Sequence, residues 1–183
     1  MRTEELDRFE EILEGGLVKI CTTAGLLEGS VLRSPDIEQK WDEYITRYVE
    51  DAVANFEEYP HPTYAWAAFL GMGVAWNWDH DWVVGGHLPY EAYYGAEGWD
   101  DMDEYVMYEI FGLEKDGETA SKLIGTLLNC AEATEALIRH NGIEVDTEFG
   151  FYTVVRAYQV FYRIGASIAL HKFGYKKVPV KFS

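Results

Sequence analysis

The side chains with the greatest chemical capacity are clustered. Asn77, Trp78, Asp79, His80, Asp81 and Trp82 are consecutive, His87 follows, and Glu91 stands one helical turn beyond it if that segment is helical. Carboxylate oxygen and imidazole nitrogen suit zinc, manganese or iron, so Asp79, Asp81 and His87, joined by Asp101, are the candidate metal ligands. Spacing limits the idea. Residues two apart on a helix point to different sides, so Asp79 and Asp81 share an ion only if the helix has unwound there. A calcium loop does not fit, because no glycine occupies the turn position and Leu88 stands where a chelating glutamate belongs. The plainer reading is a polar helix end in water, with Trp78 and Trp82 packed beneath it.

A second cluster, Glu97, Asp100, Asp101, Asp103 and Glu104, places five acids in eight residues. Such density could hold magnesium bridging to a phosphorylated substrate. It equally fits ordinary acid placement near a positive helix N-terminus. A third group, Arg156, Gln159, Arg163, Ser167 and His171, makes a stripe with two arginines a heptad apart. Arginines so placed clamp a carboxylate or phosphate, pair with the acids at 97–104, or face solvent. Nucleophilic catalysis has no support: no serine or cysteine sits in a glycine-flanked elbow, and no phosphate-binding loop or dinucleotide fingerprint occurs.

These groups are positioned by helices. Tyr64 to Trp76 is a run of 13 residues without charge. It predicts a central helix over 62–82 that is buried on all sides, with Ala67, Ala68, Gly71 and Ala75 on a small face that lets a neighbour come close and Trp66, Phe69, Leu70 and Trp76 on a large one. Around it the pattern predicts helices over 3–14, broken by Gly15 and Gly16, and over 17–27. Ser34 and Pro35 open the clearest helix, whose apolar stripe runs from Ile37 through Trp41, Tyr44 and Tyr48 to Phe56 and which ends at Pro60. A long glycine-containing loop follows over 83–99, with one helical turn from Pro89 to Tyr94. Further helices are expected over 100–111, over 117–140 with Asp116 as cap, and over 149–173. The tail from Tyr175, with Val178, Val180 and Phe182 alternating, reads as a short extended segment. The fold class expected is all-α: a single domain, 1–183, of five to six helices, with 62–82 and 149–173 the most buried.

Composition bounds the partners. The chain has 183 residues, 48% hydrophobic and 15% aromatic, and a net charge of −17. That charge repels nucleic-acid backbones and anionic membranes and suits a basic protein partner, bound cations or simple solubility. The neutral run is too short to span a bilayer. An acidic N-terminus and two cysteines without metal spacing, Cys21 and Cys130, lead to the expectation of buried free thiols in a reducing cytoplasm.

Two functions follow as expectations. The first is a non-catalytic interaction protein meeting a protein partner, or a second copy, on an acidic-aromatic surface around 78–105. Its candidate residues are Trp78, Trp82, Trp99, Asp100, Asp101 and Asp103, with Arg156 and Arg163. The alternative is a metal-dependent hydrolase of a small phosphorylated molecule, with Asp79, Asp81, His87, Asp100 and Asp101 as ligands and Arg163 on the phosphate. No organic cofactor is expected; a divalent metal is the one the residues could hold.

Overall fold

Pro60 starts the central helix, where a missing N–H costs nothing, and the uncharged run then carries it inward. In the computed structural model, which describes residues 3–177, this helix is α3, Pro60–His80, following α1, Thr3–Thr23, and α2, Pro35–Phe56. Every residue of α3 from Thr63 to Ala75 is buried. After it come α4, Trp82–Gly85; 3₁₀ turns at Tyr90–Tyr93 and Trp99–Asp101; α5, Met102–Glu104, continued by a π-helical turn at Tyr105–Ile110; α6, Glu118–His140; and α7, Glu148–Lys172. Among the described residues there are seven α-helices and no strand, an all-α domain with more helices than the five to six expected because the site region adds short ones. No helix among them is long and apolar enough to cross a membrane.

The core is a pair of helices packed backbone to backbone. A Cβ built on Gly71 of α3 would lie 2.0 Å from the Tyr162 carbonyl oxygen of α7, and one built on Gly165 of α7 would lie 1.8 Å from the Ala68 carbonyl oxygen. The small face of α3 therefore meets the glycine of α7, and large side chains on either side close over the contact. Helices α1, α2 and α6 pack around this pair, α2 on both members, α1 on α7 and α6 on α3. Tyrosine hydroxyls tie α2, α3 and α7 together: Tyr158 donates to Thr63 Oγ1 at 2.9 Å, Tyr162 donates to the Ile37 carbonyl at 2.6 Å, and Tyr48 donates to the Thr63 carbonyl.

Several expected boundaries move. α1 runs unbroken through Gly15 and Gly16, because Leu6, Phe9, Leu13, Leu17, Val18 and Cys21 form one buried stripe across them. Burying that face outweighs the roughly 1 kcal/mol that each helical glycine costs. The expected helix over 100–111 is a short α-helix and a π-helical turn. Asp116 does not cap α6; it adopts φ 58° and Gly117 takes the cap position. The central helix stops at His80 rather than 82. The expected extended tail falls for the most part on 178–183, outside the described residues.

Candidate functional site

The central helix ends where its apolar character ends. His80 folds back on the last turn: its ring stacks on Trp76, centroids 3.8 Å apart at 9°, and its Nδ1–H donates to the Trp76 carbonyl at 2.9 Å. Asp81 then breaks the helix at φ −159° and caps α4, its Oδ1 accepting the Val84 N–H at 3.3 Å. Asp79 accepts a hydrogen bond of 2.6 Å from the Tyr175 hydroxyl, and Asp36 accepts one of 3.2 Å from Trp78 Nε1. These donors are neutral, so the negative charge of Asp36 and Asp79 is left largely uncompensated by them.

The turn into α4 turns two valines outward. Val83 is 81% exposed and Val84 62%, the two most exposed large hydrophobics described. Beside α4 lies a groove of about 550 Å³, walled on one side by Asp36, Lys40 and Arg47 of α2 and on the other by Trp82, His87 and Glu91. Lys40 is buried along its stem and meets Glu43 at 2.7 Å, while Arg47 pairs with Glu91. The loop wall is held to α2 by phenols: Tyr44 donates to the Leu88 carbonyl, and Tyr90 and Tyr94 both donate to Asp51 Oδ2. Burial pushes all three phenols up from their usual range, so they stay protonated and remain donors well above neutral pH.

The sequence-predicted metal ligands have separate roles. Asp101 Oδ2 accepts the Glu97 N–H at 3.0 Å, and its neighbour Asp100 offers its carbonyl to Trp66 Nε1 at 3.1 Å. Trp66 lies 13 residues before Asp79 on α3, which at 1.5 Å per residue puts the cluster at 97–104 roughly 20 Å along the axis from Asp79. Among the described residues no three His, Cys, Asp or Glu side chains are grouped to hold a metal ion. The helix end that brings Asp79 and Asp81 close in sequence also sends them to different partners.

The expected binding surface divides in the same way. Trp78 and Trp82 are half-buried at the α3 end, and Asp100 is exposed while Asp101 is partly covered. Trp99, Asp103 and Arg163 are enclosed and leave the surface. Trp99 packs on Tyr48 and Trp66, and burial raises the Asp103 carboxyl to about 6. The arginines turn toward α1 and α2, not toward 97–104: Arg156 meets Asp7 at 2.7 Å, and Arg163 meets Glu14 at 2.7 Å and Glu38 at 3.4 Å.

Val83, Val84, Lys40, Arg47 and Asp51 escape sequence reasoning. Two β-branched residues just before Gly85 and Gly86 are a visible signal for the first pair. Nothing in the sequence links Asp51 to tyrosines 39 and 43 positions away. Comparison of the chain with protein-family models, curated proteins and solved structures finds no match.

Proposed function

We propose that this chain is a non-catalytic binding protein that docks a basic protein partner at the end of the central helix. Val83 and Val84 take an apolar side chain of the partner, and Asp36, Asp79 and Asp81 attract its basic groups. The observation that carries the reading is the exposure of Val83 and Val84 on a short helix bordered by carboxylates. An apolar centre with a charged rim is the usual make-up of a protein contact, and the net charge of −17 steers basic partners toward it. The metal-hydrolase reading has less support, because its ligands lie in two groups and Arg163 is taken up by carboxylates of its own chain.

A photo-crosslinking residue at Val83, with one at Phe151 as an exposed control on α7, tests the proposal in the cells that make the protein. The expected result is a discrete adduct to a basic protein from position 83, absent from position 151 and weakened by Val84→Asp. Equal adducts from both positions, none from 83, or an adduct only to a second copy of this chain would overturn it.

A further inference from the structure

The two cysteines of this chain are 109 positions apart and on different helices, Cys21 in α1 and Cys130 in α6. Folding nevertheless brings their sulfurs to 3.9 Å, with both side chains fully buried. No other cysteine competes. We propose that Cys21 and Cys130 are an oxidation-sensitive pair that closes to a disulfide on exposure to peroxide and staples α1 to α6.

The geometry makes the two thiols partners, either of which can donate its S–H to the other. The sulfur that accepts its neighbour's S–H holds a thiolate more easily, while the shared hydrogen bond and burial raise the thiol that donates. Either sulfur can act as the nucleophile, and the disulfide is the same whether the attack starts from Cys130 or from Cys21. Starting from Cys21, the thiolate attacks one oxygen of hydrogen peroxide; the O–O bond breaks, and the departing hydroxide takes up the thiol proton to leave as water. Cys21 becomes a sulfenic acid. The Cys130 sulfur then attacks the Cys21 sulfur, the S–O bond breaks, and the hydroxyl leaves with the Cys130 proton as a second water. Two thiols are oxidised by two electrons, and one peroxide is reduced to two waters.

Burial sets the rate and the product. With neither sulfur exposed, the oxidant reaches either one only in brief openings of the α1–α6 contact, so closure is slow. The same enclosure puts the second thiol beside the sulfenic acid before a second peroxide arrives, which favours the disulfide over higher oxides. Closing a loop of about 100 residues in the unfolded chain raises the melting temperature, by on the order of 10 °C in a chain of this size.

The test uses the wild-type protein with hydrogen peroxide, followed by denaturation and intact mass measurement. The expected product has lost two hydrogens, carries no alkylatable thiol, runs faster on a non-reducing gel, melts higher, and reverts in dithiothreitol. Cys130→Ser should instead retain oxygen on Cys21 or form an adduct with an added sulfenic-acid trap. Wild-type protein that gains oxygen at each cysteine without losing two hydrogens, forms only intermolecular dimers, or keeps both thiols after prolonged exposure would overturn the proposal. Because the main readout needs no substitution, a poorly folding variant does not compromise it.

Discussion

Replacing Gly165 with alanine adds a single methyl group at the tightest of the glycine positions. That carbon would sit 1.8 Å from the Ala68 carbonyl oxygen, whereas real contacts of this kind are essentially never under 3.0 Å. The obstacle is helix backbone, not a side chain that can swing away, so α3 and α7 must part by about 1.2 Å locally. Overpacking typically costs 1–3 kcal/mol, and the rigid neighbour puts this case at about 3. Alanine's better helix propensity returns about 1 kcal/mol, for a net loss of about 2 kcal/mol, or roughly 4–8 °C in Tm. Gly125 on α6 is the matched control: nothing lies within 4 Å of its added Cβ. There the same change should stabilise by about 0.5–1 kcal/mol. Urea titrations followed by circular dichroism measure both. If Gly165→Ala is as stable as the parent, or moves in the same direction as Gly125→Ala, the close helix contact is not the organising feature of the core.

Arg163→Ala should cost about 1–3 kcal/mol in urea unfolding, since it removes a guanidinium only 8% exposed from between Glu14 and Glu38 and leaves them the more exposed Arg33, at 3.4 and 3.5 Å. Arg163→Lys should recover less than half of that, because one ammonium cannot reach both carboxylates as the planar fork does. Asp103 binds its proton more tightly in the folded protein, at about 6, than in the unfolded chain. Its contribution to stability is therefore greatest below the unfolded value and is lost as pH rises through 6. Asp103→Asn should match the parent near pH 4 and exceed it by roughly 1–2 kcal/mol near pH 8; a constant difference across that range would refute the burial argument. Millimolar magnesium, manganese or zinc should move Tm by no more than about 1 °C at moderate salt, whereas a site at 100 times its Kd would add about 2.7 kcal/mol. A larger, saturable shift would revive the metal reading.

The helical fold was legible because burial leaves a strong imprint on composition. The neutral run from Tyr64 to Trp76 pointed to an enclosed helix, and the small residues Ala68 and Gly71 marked the side where another backbone comes in. Glycine read locally misled: Gly15 and Gly16 sit in open space on α1, where each costs about 1 kcal/mol and the buried stripe on the far side outweighs it. The site was less legible because its residues owe their roles to distant ones. Arg156 and Arg163 find acids 149 positions away on α1, and the acids at 97–104 follow Trp66 instead of Asp79. Spacing along one helix identifies a shared face but not what that face meets.

The phenol contacts of Tyr44, Tyr90 and Tyr94 all run to or from α2, through the Leu88 carbonyl and Asp51. One wall of the groove is thus suspended from the other. A slight roll of α2 would carry the loop along with it instead of widening the cleft, so a visitor would encounter a channel of nearly constant bore whose heading, more than its width, responds to movement elsewhere.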